Sequence, residues 1–385
     1  MTMTEILFTG DLFLGGDLHS EKARDVVRSI NFHTADKRIV NLEQPISDNN
    51  KVADKCTLYT NSCAVDQLDE LKIDAVNLAH NHIQDKEDEG IIETIAFLNQ
   101  AEIGHFGAGK NISEAKKPFW INDKLCVLGF CEFNRPYLKQ IRLANEKEPG
   151  VNPLRYSTII SVLNELPEGT KAILFFHWGR EHVRFPPYND IVLAKKLLED
   201  ERVALIIGTH AHRLQGFVEH NGKRAYMCLG NFLFPNFFIK PPVQIFYPEN
   251  KPEKYDVTRQ YLGVSRLTYK KWSWKNRLSI GVLYNTENKS HKIIPFYQED
   301  DLPIVNECSG LIKSFALGLT SMLSILYKLP KPLYAILEKI NSFFISFTKL
   351  IYIYLFTIKQ KGLKIIPSYI HRKMKDLVGK LQGVT

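Results

Sequence analysis

No two cysteines stand in C-x-x-C spacing, and the six that occur (Cys56, Cys63, Cys126, Cys131, Cys228 and Cys308) are scattered through 385 residues. That excludes a zinc ribbon and a disulfide-stapled scaffold, and it makes the thiols reduced, small core residues. Cys56 and Cys63 have no catalytic arrangement near them and read as inert. The glycines of Gly15-Gly16-Asp17 and Gly104-His105-Phe106-Gly107-Ala108-Gly109 lack dinucleotide or P-loop spacing and read as turns. There is no internal repeat and no low-complexity tract. No basic segment precedes Ile6-Leu7-Phe8-Thr9, so no secretory signal is readable and a cytoplasmic body is expected.

What is present is apolar material, 44% of residues against 24% charged, enough for one large core with an appendage. The net charge is +8, which raises nucleic acid, an anionic membrane or an acidic substrate as partners. Its position decides among them. From Leu311 to Thr385 the balance is +10, leaving −2 on the first 310 residues. A nearly neutral body with a basic tail is not a nucleic-acid-binding domain.

Short apolar runs punctuate the first 240 residues: Ile6 to Thr9, Arg38 to Leu42, Ile73 to Leu78, Leu125 to Phe130, Ala172 to Phe176, Ala204 to Ile207 and Tyr226 to Leu229. They predict buried strands. Helical spacing over Glu87 to Gln100 and Asp190 to Glu199 alternates with them, giving an α/β layered fold. Leu278 to Tyr284 and Lys292 to Phe296, around Asn285-Thr286-Glu287-Asn288, predict a hairpin that completes a sheet.

The runs end in chemistry: Gly10-Asp11, Glu43, His80-Asn81-His82, His177 and Gly208-Thr209-His210-Ala211-His212. Open α/β sheets place ligands at the carboxyl ends of their strands, and Asp, Glu, Asn and His are ligands for zinc, manganese or iron. Singly, each has an ordinary reading as a turn, a helix entry or a satisfied core histidine. Five strand ends carrying them together, with Gly-x-His-x-His among them, point to a metal site. Alternation along an extended segment would put His210 and His212 on one side.

Gly10-Asp11, Asn41-Leu42-Glu43, Asn81-His82-Ile83-x-Asp85, His177-Trp178-Gly179-x-Glu181, Gly208-x-His210-x-His212 and Leu229-Gly230-Asn231-Phe232, in this order, resemble the CapA family. These are bacterial capsule and poly-γ-glutamate synthesis proteins with a calcineurin-like metallophosphoesterase domain, and the resemblance spans residues 5 to 300. It implies a four-layer αββα sandwich with two divalent metals (manganese, zinc or iron). Asp11 and His212 would hold one metal, Asn81, His177 and His210 the other, and Glu43 would bridge them. His82 would be catalytic, protonating a leaving oxygen displaced by metal-activated water. Asp85 and Glu181 would orient imidazoles or serve as ordinary turn and cap residues, and Arg180 would bind an anionic substrate group or lie solvated. Leu229-Gly230-Asn231-Phe232 reads as a structural strand-to-turn segment.

Two positions depart from the metallophosphoesterase pattern. Asp11 is followed by Leu12 and Phe13 rather than x-His, and the bridging acid is Glu43 rather than Asp. Both departures are typical of the CapA branch. The implied function is that of a metal-dependent hydrolase in capsule, exopolysaccharide or poly-γ-glutamate synthesis. The alternative is a non-catalytic accessory subunit of a polymer synthesis or export complex.

The expected division is residues 1–305 for this domain and 310–385 for a tail. In the tail, Leu311 to Leu326 and residues 333 to 358 carry broad apolar helical stripes, separated by Pro330 and Pro332. Glu338 and Lys339 argue against a simple transmembrane span. An in-plane helix followed by Lys359, Lys361, Lys364, Arg372, Lys373 and Lys375 suits an anionic bilayer at the inner face of the cytoplasmic membrane. The competing reading packs the same stripe on the sandwich or on a membrane-bound synthase.

Overall fold

The computed structural model describes residues 3–16, 18, 23–53, 57–133, 141–240, 244–246, 268–300 and 302–361. Asp17, Cys56, Lys364, Arg372, Lys373 and Lys375 lie outside the described residues.

Two sheets organise the body. The nine-stranded sheet runs Val27–Arg28, Val305–Glu307, His291–Gln298, Leu278–Asn285, Glu5–Leu12, Lys37–Leu42, Ala75–Asn77, Gly104–Phe106, with Asn231–Leu233 pairing on Glu5–Leu12. The six-stranded sheet runs Phe217–His220, Lys223–Tyr226, Val203–Thr209, Lys171–His177, Leu125–Cys131, Phe119–Asn122. In each, the strands that carry the candidate residues are parallel neighbours. Their carboxyl ends therefore emerge at one edge. The expected hairpin forms as the antiparallel pair Leu278–Asn285 and His291–Gln298.

Alternation along the strands builds the layers. Ile6, Phe8, Ile39 and Ala75 share a core with the six-stranded sheet, and Phe175 lies 6.4 Å from Phe8 and 6.0 Å from Phe106 between ring centroids. The intervening residues Leu7, Val40, Leu42 and Val76 instead join Ile91, Ile95 and Leu98 of the Glu87–Gln100 helix. On the far side of the six-stranded sheet, the Tyr156–Glu165 and Tyr188–Glu199 helices bury Ile159, Val162, Ile191 and Leu197. The order is helix, sheet, sheet, helix, as expected of a four-layer sandwich. Each fully buried phenylalanine of this core contributes about 1.5–3 kcal/mol.

The boundary expected near 305–310 falls inside a packed unit. Residues Met1–Glu338 form one compact body and Lys339–Thr385 another. The Gly310–Leu326 helix belongs to the first because it buries Ala316, Leu319, Thr320 and Leu323. Its Ser324 Oγ accepts from Phe217 N at 2.8 Å, and Tyr327 Oη donates to Arg184 O at 2.6 Å. Lys331–Lys361 is a single 31-residue helix that starts just before the second proline, Pro332, which lies in the first turn where proline is tolerated.

Candidate metal centre

Asp11 lies within the Glu5–Leu12 strand rather than after it, beyond a register shift between Phe8 and Asp11. Gly10 makes this course possible. A Cβ there would stand 1.8 Å from Gly230 O, whose own residue holds a φ of +85°. Only glycine lets the two segments approach so closely. Asp11 N then donates to Gly230 O at 3.0 Å, and Glu43 N to Leu12 O at 2.9 Å, which brings both carboxylates to the strand ends, fully buried.

One carboxamide holds both acids. Asn41 Nδ2 donates to Asp11 Oδ1 at 2.9 Å and to Glu43 Oε2 at 3.2 Å. The other oxygens, Asp11 Oδ2 and Glu43 Oε1, are buried without a well-formed hydrogen bond among the described residues. His212 faces both, with Nδ1 at 3.2 Å from Asp11 Oδ2 and Nε2 at 3.4 Å from Glu43 Oε1. His177, at the end of Lys171–His177, places Nε2 3.8 Å from the same Glu43 oxygen and 2.8 Å from Asn81 Oδ1.

His210 and His212 do not reach the site by alternation along an extended segment. Both hold left-handed backbone, with φ of +87° and +50°, on the turn after Val203–Thr209. The turn still brings the rings together, 6.3 Å apart between centroids, with His210 4.5 Å from His177. Non-glycine residues in that region carry backbone strain, and such strain concentrates at functional sites.

Ligand-capable atoms of Glu43, His177 and His210 lie within 4.8 Å of one another, and so do those of Asp11, Glu43 and His212. Glu43 belongs to both sets. Burial pushes the Glu43 carboxyl well above its ordinary range, with the neighbouring Asp11 charge adding to the effect. Burial also opposes ionisation of Asp11, but the His212 imidazole 3.2 Å away prevails and lowers it. His212 is raised: burial opposes its charge, and the contacts with Asp11 outweigh it. Burial holds His177 well below the usual imidazole value and His210 at about 4. The low imidazoles of His177 and His210, with the buried carboxylate oxygens Asp11 Oδ2 and Glu43 Oε1 that converge beside His212, form a donor set that fits divalent cations.

The remaining predicted residues divide. Asn81 joins the cluster through His177. His82 Nδ1 lies 2.6 Å from Asp85 Oδ2, and Asp85 also accepts from Leu58 N at 2.5 Å. Glu181 lies beside His182, with Nε2 at 3.9 Å, and although burial opposes its charge, the nearby imidazoles of His210, His212 and His182 hold its carboxyl down at about 2. Arg180 is exposed on the turn after Lys171–His177.

Four contributors escape a reading by residue type. Asn41 holds both acids. Thr209 Oγ1 lies 3.1 Å from His177 Nδ1. Asn231, read as structural, meets His212 Nδ1 at 2.8 Å through its Oδ1. The His182 ring lies 5.9 Å from His212 and 6.2 Å from Trp272 between centroids, tilted to both. Asn41 and Asn231 stand inside the ordered motifs, which is the available signal.

Two facing sheets whose carboxyl edges gather carboxylates and imidazoles around a shared glutamate define a metallophosphoesterase-like α/β sandwich. More particularly, the chain belongs to the bacterial capsule synthesis protein PGA_cap family, whose model matches residues 5–236. It is 26% identical over 269 residues to the PGA biosynthesis protein CapA of Bacillus subtilis, covering 65% of this chain and 70% of that one. Against the capsule biosynthesis protein CapA of Bacillus anthracis it is 26% identical over 207 residues, covering 50% of this chain and 49% of the relative. A probable polyglutamine synthesis accessory protein of Mycobacterium tuberculosis is 25% identical, with 48% and 52% covered. The chain thus spans about half the length of the latter two.

Among solved structures, the calcineurin-like phosphoesterase YfkN from Bacillus subtilis aligns over 84% of this chain and 98% of its own, at 13% identity and a TM-score of 0.38. TT1561 of Thermus thermophilus aligns over 64% and 98%, at 14% identity and a TM-score of 0.34. Both scores are low, and the layer order rests on this chain's own strands and helices.

Proposed function

We propose that the protein is a metal-dependent hydrolase acting in the synthesis, release or attachment of an anionic polymer, whether capsule, exopolysaccharide or poly-γ-glutamate. The observation that carries this reading is the pair of buried donor sets sharing Glu43. Asp11 and His212 would hold one divalent cation, Asn81, His177 and His210 the other, with Glu43 common to both. Bound cations of this kind supply Lewis acidity and lower the pKa of a coordinated water. The chain's own residues do the rest. Asp85 fixes the His82 ring through Nδ1, leaving Nε2 to carry a proton toward a leaving oxygen. Exposed Arg180 would meet an anionic group of the polymer.

Metal analysis of the purified protein, followed by phosphodiester, phosphomonoester and amide hydrolysis by wild type and His82→Ala, tests the reading. It expects bound divalent metal and a fall in kcat of about 10²–10⁴-fold in the variant. If the chain binds neither its own nor added manganese, the reading fails.

A second reading, an accessory subunit without turnover, is favoured by Phe13. Where the phosphoesterase pattern carries a histidine, this ring packs with Phe234 and Phe237 instead. Metal binding without hydrolysis of any of the three substrate classes would select it.

For residues 310–385, docking on an anionic bilayer or a membrane-bound synthase is supported by Phe343, Phe344, Phe347, Ile351 and Leu355, all exposed along the Lys331–Lys361 helix. No helix among the described residues is long and apolar enough to cross a membrane. Flotation with vesicles containing phosphatidylglycerol, absent with phosphatidylcholine alone, is the expected result.

A further inference from the structure

Four polar residues stand in one row across four neighbouring strands. Asp11 is the Cα partner of Asn231 on one side and of Asn41 on the other, and Asn41 is the partner of Asn77. In parallel strands, residues in register project to the same face, so the row is a continuous polar seam in an otherwise apolar inner surface. All four are buried.

The hydrogen bonds along the row run in one direction. Asn77 Nδ2 donates to Asn41 Oδ1 at 2.8 Å, and Asn77 Oδ1 accepts from Ala79 N at 3.2 Å. Asn77 is thereby locked by backbone. With its oxygen engaged, Asn41 can offer only its amino group to the acids, and it donates to Asp11 Oδ1 and Glu43 Oε2, with His177 Nδ1 a longer contact at 3.4 Å. A flipped Asn41 would set its oxygen against two carboxylates.

We infer that Asn41 is a positioning residue for the metal centre: clamped by Asn77, it occupies one oxygen of Asp11 and one of Glu43 and so presents Asp11 Oδ2 and Glu43 Oε1 to a shared divalent cation. This rests on the metal-centre reading proposed above. Asn41 would not itself be a ligand. Its effect passes through the two carboxylates, as outer partners orient metal ligands elsewhere.

The test is manganese affinity of the full chain, measured by titration calorimetry for wild type, Asn41→Ala, Asn77→Ala, the double variant and Thr94→Val. Thr94 is buried and hydrogen-bonded to Ile46 in the outer helical layer, so its loss destabilises the fold away from the row. Asn41→Ala should weaken manganese by about 10–100-fold, and Asn77→Ala by less. The double variant should bind no worse than Asn41→Ala, since Asn77 acts through Asn41. Thr94→Val should keep wild-type affinity.

Wild-type affinity in Asn41→Ala, or an equal loss in Thr94→Val, overturns the inference and leaves the metal centre standing. Wild type that binds no manganese overturns the metal-centre reading and this inference with it. Should Asn41→Ala fail to fold, Asn77→Ala decides, because it touches neither carboxylate. Unchanged affinity there overturns the inference.

Discussion

Thr209 Oγ1 lies 3.1 Å from His177 Nδ1 while donating its own proton to Phe176 O at 3.0 Å. A hydroxyl whose proton is committed can only accept from the imidazole. Thr209 thus favours the form of His177 with its hydrogen on Nδ1, which would leave Nε2, 2.8 Å from Asn81 Oδ1 and 3.8 Å from Glu43 Oε1, free to give its lone pair to a cation beside them. Thr209→Val keeps the shape and removes the acceptor. Manganese affinity should fall about 10-fold with the fold intact, and calorimetry giving wild-type affinity would refute this tautomer assignment.

Glu43 is common to both donor sets, whereas His212 belongs to one. Glu43→Gln should therefore lower the metal content at both positions, by more than the roughly 10–100-fold typical of outer-partner losses. His212→Ala should spare the position held by His177 and His210. Elemental analysis showing equal metal content in the two variants would contradict a shared glutamate.

Gly10→Ala places a methyl 1.8 Å from the backbone oxygen of Gly230, so the two segments must shift apart. The expected cost is about 3 kcal/mol or more, read as a lowered urea midpoint at unchanged slope. A midpoint within experimental scatter of wild type would show that the strand pair can separate.

His291 lies between Tyr226 and Tyr284, and burial, helped by the Arg224 charge, lowers its pKa to about 4. Between pH 6.5 and about 4 the unfolded chain binds a proton that the folded chain refuses. Its stabilising contribution is thus complete above pH 6.5 and is lost as the pH falls toward 4. His291→Gln should reduce the acid-side loss by roughly 1 kcal/mol after solvent screening, measured by urea melts at pH 7 and pH 4.5. Parallel curves for the two proteins would rule the effect out.

A chain ended at Ser309 should be less stable than one ended at Glu338. Only the longer keeps the Tyr327 and Tyr334 hydroxyls, each 2.6 Å from a backbone carbonyl, of Arg184 and of Pro186. The difference should exceed about 3 kcal/mol, since several buried side chains leave together. Equal thermal midpoints would return the domain boundary to residue 305.

Strand-end chemistry is legible because the polar residue interrupts an apolar run: Asp11, Glu43, His177 and the His210–His212 pair all announce themselves this way. Asn41 does not. It sits inside such a run and gains its role from register with Asp11 and Asn77, a relation between strands that one strand's sequence does not carry. Thr209 is hidden for the same reason, since its partner His177 lies 32 residues away. The helix after residue 310 misleads because its stripe is apolar on more than one side. Ala316, Leu319 and Leu323 are buried while Leu311, Phe315 and Ile325 stay exposed.

The left-handed backbone at His210 and His212 sets stability against activity in this chain. Each costs about 1–2 kcal/mol that glycine would not, so glycine at either position relaxes the fold while deleting an imidazole. A screen for heat-resistant variants would therefore enrich proteins without these imidazoles, and selection for stability alone would erase the proposed metal centre.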